Sequence, residues 1–373
     1  MRNVDAAGLG IGDDYPTRIM GVLNVSKESP YDPSVYDDPG EAAAYVDEEL
    51  IGEGADIVDV GLESANKKFD VLSAEGELER LDTAIETMES VSGDAVFSIE
   101  TRYHEVAEAA LDAGFDMVND ICGFADPEMP RVCEEYGVAV GKMASPPDLE
   151  RPGAIEDVDD IYDALAMNGL TDKTIIDPAF GGWSEAKTAA DDRETFDRLR
   201  EFRGYGQPIL VSINRKNFLR DLADRPTDRA LPVSLAATAM AIERGAHVVR
   251  THDVAETLDA AKIGDRFTPD RMRDPATGVE ELDVQTPGDA ARHLDRVSAS
   301  ADPEAAVSRV FELGDLSDTE RDTLDSLAAE CPAVRVADGE DGTLLFGTVA
   351  ALRAIAADAD APAPLGAIVA GEE

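Results

Sequence analysis

Positive charge is what this 373-residue chain has least of: 33 Lys+Arg stand against 79 Asp+Glu, a formal net charge of −46, and lysine is scarce beside arginine. A field of that sign repels nucleic acid and anionic membrane, which both need cations to replace their counterions, so neither is expected as a partner. Cysteine is limited to Cys122, Cys133 and Cys331, with no CxxC pair and no metal-ligand spacing. An odd count without a signal-peptide pattern points to reduced thiols in a cytoplasmic setting. No apolar run approaches the roughly 20 residues that span a bilayer. What is present is 43% hydrophobic residues in periodic runs, which excludes an acidic disordered chain. The carboxylates are scattered along the whole length rather than gathered in a tail. That pattern suits a folded, halophilic protein in molar salt, where screening acts over only about 3 Å.

Short apolar runs recur at 18–26, 55–61, 95–100, 115–121, 137–144, 174–180, 208–214 and 246–253. They are rich in Val, Ile, Leu or Phe and do not alternate like half-exposed strands, so they read as strands covered on both faces. Amphipathic stretches such as YHEVAEAALDAG separate them, several closing on Gly as a helix C-terminus does. Eight such units in about 250 residues predict an α/β fold, a (β/α)8 TIM barrel. An open doubly wound sheet is the alternative, but no GxGxxG follows the first strand.

Barrel enzymes carry their chemistry where strands end. In order, those ends supply Asn24 and Ser26, Asp59 and Glu63, Glu100, Asn119 and Asp120, Lys142 and Met143, Asp177, Asn214 with Lys216, and Arg250 with His252. Lys216, Arg250 and His252 suit an anionic ligand: Lys is a point charge, Arg a planar fork, His a donor that can also carry charge. The alternative is that Arg250 pairs with a barrel carboxylate such as Asp59 or Asp253. Glu100, Asn119 and Asp177 offer acceptors and donors that suit the edge of a nitrogen-rich heterocycle. Met143 could cover a ring face or simply fill the core. Trp183, the single tryptophan, is read equally as a lid and as a packed surface aromatic.

Seven blocks in order, IMGVLNVSKES, GADIVDVGLES, FSIET, FDMVNDICG, IIDPAFG, ILVSINRKNF and SLAATAMAIERGAHVVRTHDVAET, resemble dihydropteroate synthase, a pterin-binding barrel family. The resemblance implies condensation of 6-hydroxymethyl-7,8-dihydropterin diphosphate with p-aminobenzoate, releasing pyrophosphate. It implies Mg²⁺ as cofactor with Asn24 at the metal and pyrophosphate, and Arg250 and His252 on the same leaving group. Glu100, Asn119, Asp177, Lys216 and Met143 are implied for the pterin, and Lys216, Arg250 and His252 for catalysis. A homodimer is the family habit. The chain departs from the pattern where Glu100 replaces the usual Asp and where SANKKF (64–69) replaces a Ser-Thr-Arg-Pro-Gly-like loop. It departs again where NRKN replaces Ser-Arg-Lys-Ser. Ser64, Lys67 and Asn217 are therefore the candidates for meeting the second substrate, with Lys187 standing in for a loop lysine. The alternatives are a non-catalytic pterin-binding paralogue, an enzyme for a different arylamine, and a pterin-dependent methyltransferase.

The barrel is expected over residues 1–268. The Pro-, Gly- and charge-rich stretch 269–286 reads as a linker, and 287–373 as a small, mostly helical C-terminal domain of docking type.

Overall fold

The computed structural model describes residues 2–25, 34–63, 71–181, 186–274, 276–314, 316–339 and 342–370. A two-stranded hairpin, β1 (Val4–Ala6) and β2 (Leu9–Ile11), comes first. Each of the eight apolar runs then supplies one parallel strand: β3 (Arg18–Asn24), β4 (Ile57–Gly61), β5 (Val96–Thr101), β6 (Met117–Asp120), β7 (Ala139–Met143), β8 (Thr174–Asp177), β9 (Leu210–Val211) and β10 (Val248–Thr251). Their order is β8-β7-β6-β5-β4-β3-β10-β9, and a parallel bridge from Ile176 to Ile209 brings β8 against β9 to close the ring. This is the expected (β/α)8 barrel.

The intervening helices are α1 (Pro39–Tyr45), α2 (Ala74–Ser90), α3 (His104–Asp112), α4 (Met129–Tyr136), α5 (Val158–Ala166), α6 (Ala189–Asp197), α7 (Asn217–Ala223), α8 (Leu231–Glu243) and α9 (Val254–Phe267). Several start where a side chain accepts an orphan amide: Asp38 for α1, Ser73 for α2, Asp157 for α5 and Thr188 in a capping box for α6. Their apolar faces pack on the outward residues of the strands, among them Leu23, Val58, Ile99, Val118, Val140, Ile176 and Val249.

Side chains along a strand alternate between faces, so the inward residues follow in steps of two. At the barrel floor these are Met20, Ile57, Val96, Met117, Ala139, Ile175, Leu210 and Val248, and they cluster with Val4, Ala6 and Ile11 of the N-terminal hairpin. The hairpin thus plugs the floor. Asp13, just after it, accepts from Arg203 Nη2 at 2.9 Å and lies 3.0 Å from His247 Nε2. His247 Nδ1 in turn accepts the Ile209 amide at 3.1 Å, which leaves Nε2 to carry the proton toward Asp13.

Residues up to Asp270 form one compact unit and those from Arg271 a second. The second begins with a short hairpin, β11 (Arg273–Asp274) and β12 (Val279–Glu280), in the stretch that reads as a linker. It continues through α10 (Pro287–Arg296), β13 (Ser308–Leu313), α11 (Asp318–Glu330), β14 (Val334–Asp338), β15 (Thr343–Thr348), α12 (Val349–Ala356) and α13 (Gly366–Ala370). The expected helices are there, together with an antiparallel sheet of order β13-β15-β14. TLLFGT alternates buried with more exposed residues and SRVFEL alternates exposed with less exposed ones, which is the two-residue period of a strand. Leu313, Leu316, Leu324, Val334, Leu345, Leu352 and Ile355 make this unit's own core.

Candidate active site

Counting onward in twos from the floor residues gives the inward side chains at the other end of the barrel. Met20 leads to Asn24, Ile57 to Asp59 and Gly61, Val96 to Glu100, Met117 to Asn119, and Ala139 to Met143. On the remaining strands Ile175 leads to Asp177, Leu210 to Ser212, and Val248 to Arg250. Glu100, Asn119, Met143, Asp177, Ser212, Lys216 and Arg250, with Ile121, Ala179 and Phe180, line one cleft of about 330 Å³ that opens to solvent. Six of the residues expected from the sequence therefore meet in a single slot. The same parity explains which strand-end residues stay out. Lys142 points outward and donates to the carbonyls of Leu165 and Gly169 at 3.0 and 2.8 Å, capping α5 over the Phe124 ring. Asp120, also outward, accepts the amides of Cys122 and Phe124.

Arg250 takes the pairing that the sequence left open, and takes it twice. Its Nε donates to Asp59 Oδ2 at 2.7 Å and its Nη2 to Glu100 Oε2 at 2.6 Å. Burial disfavours the guanidinium charge, but Glu100 and Asp59 more than offset this and raise its pKa further. Burial also raises the Glu100 pKa, against the pull of Arg250. Asp59 is fully buried, accepts Asn119 Nδ2 at 3.0 Å through the same oxygen, and has no hydrogen-bond partner for Oδ1 among the described residues. It belongs to the site. Of the two carboxylates in the run ADIVDVG, Asp59 is the one two residues on from the inward Ile57, and the sequence already offered it as a partner of Arg250.

Asp177 accepts the Ala179 amide at 2.8 Å, and burial raises its pKa to about 6 despite Lys216 and Arg250 nearby. Lys216 answers it: burial lowers the ammonium to about 8 while Asp177 pulls it back up. Gly181, at φ +114°, leaves the room, since a Cβ there would lie 2.9 Å from Lys216 Nζ. Lys187 is buried beside this pair, donating to Ala179 O at 2.7 Å and lying 3.4 Å from Asp192.

Asn24 ends the first barrel strand and donates to Ser34 Oγ at 3.0 Å. Its Oδ1 and Glu100 Oε1 lie 3.1 and 3.6 Å from the point where a Cβ on Gly61 would stand, so the missing side chain leaves both oxygens a common space. His252 is partly exposed. Burial, then Arg250 and Lys216, lower its pKa to about 3, so it enters as a neutral imidazole. Asn217 is exposed at the start of α7, bonded to Arg220. Ser26, Ser64, Lys67 and Trp183 lie outside the described residues.

Comparison with known proteins accords with this geometry. The family described as pterin binding enzyme matches residues 20–252. A probable bifunctional folylpolyglutamate synthase/dihydropteroate synthase of Haloferax volcanii is 35% identical over 292 residues, 72% of this chain and 34% of the relative. The chain thus spans about a third of that relative's length. Dihydropteroate synthase of Bacillus subtilis is 31% identical over 255 residues, 67% of this chain and 88% of the relative. The dihydropteroate synthase structure from Coxiella burnetii in complex with pteroic acid superposes with a TM-score of 0.61 at 27% identity, covering 72% of this chain and 99% of its own. That of Xanthomonas albilineans with 4-aminobenzoic acid gives 0.59 at 30% identity, covering 71% and 97%. By the family match and by the synthases it resembles along the barrel, the chain belongs to the pterin-binding enzymes, among the dihydropteroate synthases.

Proposed function

We propose that the barrel joins 6-hydroxymethyl-7,8-dihydropterin diphosphate to p-aminobenzoate and releases pyrophosphate. The observation that carries the reading is the cleft itself, which Asn119, Asp177, Glu100, Met143, Lys216 and Arg250 line together. Asp177 and Asn119 accept from and donate to the pterin edge, and Lys216 donates from the side. The arylamine nitrogen attacks the pterin methylene carbon, the carbon–oxygen bond to the diphosphate breaks, and the ammonium proton passes to solvent. No strong base is needed, because an aniline is neutral at pH 7. Negative charge gathers on the departing diphosphate, where Arg250 and the neutral His252 donate hydrogen bonds that strengthen as the bond breaks.

Mg²⁺ fits as cofactor on the chemistry of the donors: the Asn24 amide oxygen and the space over Gly61 offer the hard oxygen ligation it prefers. Asn24 would hold it together with diphosphate oxygens, and the ion supplies charge neutralisation on the leaving group. A homodimer has a candidate surface in the exposed Met240 of α8 and Ile263 and Phe267 of α9, and solution mass tests it.

Turnover in molar KCl with Mg²⁺, following pyrophosphate and the coupled product, tests the reading. Arg250→Ala should lower kcat by about 10²–10³. Pterin binding without product in the parent protein would transfer the reading to a different arylamine or a non-catalytic paralogue.

A further inference from the structure

After Asp177 closes β8 the backbone turns through Ala179 at φ +62° and Gly181 at φ +114°. A residue with a Cβ keeps such a left-handed conformation only where its surroundings hold it there. Here Asp177 Oδ1 accepts the Ala179 amide at 2.8 Å and Lys187 Nζ donates to the Ala179 carbonyl at 2.7 Å. Asp192 Oδ1, reaching in from α6, accepts the Gly181 amide at 3.2 Å. Asp192 is 3% exposed, and the same oxygen lies 3.4 Å from Lys187 Nζ, whose side chain is fully buried. Each charge thus offsets the cost of burying the other, and the pair grips the turn by a carbonyl and an amide. Between them Phe180 stacks on Phe218 of α7 at 5.8 Å between centroids and meets Phe196 of α6 edge-on at 6.1 Å.

The turn has a consequence for the cleft. Ala179 and Phe180 line it beside Asp177 and Lys216, whereas Asp192 and Lys187 are not among the lining residues. Lys216 Cδ and Nζ both lie 2.9 Å from where a Cβ on Gly181 would stand, so the course of the backbone at Gly181 decides where the ammonium sits. We propose that Asp192 is a positioning residue: paired with Lys187, it fixes the turn after β8 so that Lys216 is seated beside Asp177 in the cleft. The inference rests on the synthase reading for its substrate, and on hydrogen bonds and packing for the turn. The charges of Asp192 and Lys187 also reach Lys216, together with those of Asp177 and Arg250.

The test compares Asp192→Ala, Asp192→Asn and Lys187→Met in molar KCl. Hydrogen exchange at the Gly181 amide should quicken about tenfold in Asp192→Ala, which removes the acceptor, and stay near the parent rate in Asp192→Asn, which keeps it, with the β6 amides unchanged in both. The KM for the pterin diphosphate should rise about tenfold in Asp192→Ala and Lys187→Met, while that for p-aminobenzoate stays within about twofold and Asp192→Asn restores most of the loss. Lys187→Met also takes a cation from beside Lys216, which favours the ammonium, so the alkaline limb of kcat/KM should move to higher pH. A residue that only supports the fold would lower kcat/KM equally at every pH. Gly181 exchange unchanged in Asp192→Ala, Asp192→Asn as damaging as Asp192→Ala, or an alkaline limb left in place in Lys187→Met would overturn the proposal. If Asp192→Ala fails to fold, Lys187→Met carries the KM and pH comparisons. If the parent protein makes no product, the synthase reading has failed, and exchange at Gly181 still decides whether Asp192 holds the turn.

Discussion

Asp177 and Lys216 face each other across the cleft with their ionisations drawn together, one pushed up to about 6 and the other down to about 8. On the proposed reaction an ionised Asp177 accepts from the pterin and a charged Lys216 donates, so kcat/KM should fall below about pH 6 and again above about pH 8. Lys216→Arg should remove the alkaline limb, since a guanidinium does not deprotonate in that range. If the limb stays at pH 8 in that variant, Lys216 is not its source. Glu77 gives a stability counterpart. It is buried on α2, donated to by Thr101 Oγ1 at 2.5 Å, and burial raises it from 4.5 to about 7. A carboxylate raised on folding is neutral at no cost below pH 4.5 and destabilises progressively as pH climbs through about 7. Glu77→Gln should therefore gain up to about 3 kcal/mol at pH 8 and nothing at pH 4, read as the difference in unfolding free energy. Roles of this kind were only half legible beforehand. Glu100, Asn119, Asp177, Lys216, Arg250 and Asp59 stood at strand ends and could be named, whereas the choice between an anionic ligand and the Asp59 carboxylate for Arg250 required the strand faces.

The strands and their helices were legible because a strand covered on both faces cannot alternate polar with apolar residues, and all eight runs showed it. Parity was the missing element. Lys142 and Asn119 both stand near the ends of their strands, yet one caps α5 and the other lines the cleft, because Asn119 lies level with the inward Gly141 and Lys142 level with the outward Asp120. The floor hairpin was not foreseen: β1 and β2 are three residues each, too short for a periodic signal. Its cost of removal can be stated all the same. Ile11 is fully buried against the inward residues of the barrel floor, so Ile11→Ala should destabilise by about 2–5 kcal/mol. The cleft lies at the opposite end of the strands. The variant should thus lose melting temperature while keeping kcat at a temperature where it is folded, and a parallel loss of kcat there would show that the floor and the cleft are coupled.

Across the whole molecule a charge of −46 must coexist with a site that, on the proposed reaction, receives two anions, a diphosphate and a benzoate. Locally the cleft answers with Arg250 and Lys216 set among Asp59, Glu100 and Asp177, so it carries no excess of positive charge able to overcome the surface field by itself. The surrounding carboxylates also repel one another in the folded state. Both penalties are long-range, and salt removes them: the screening length falls from about 10 Å at 0.1 M to about 3 Å at 1 M. We infer that the chain works in concentrated salt, and two measurements follow from one cause. Raising KCl from 0.1 to 2 M should raise the melting temperature and, at a temperature where the protein is folded throughout, lower the KM of both anionic substrates. An uncharged aniline in place of p-aminobenzoate separates the parts, because its KM should respond far less. Equal salt responses of the charged and uncharged amines would mean that salt acts on folding alone, and a melting temperature flat across the range would remove the halophilic reading.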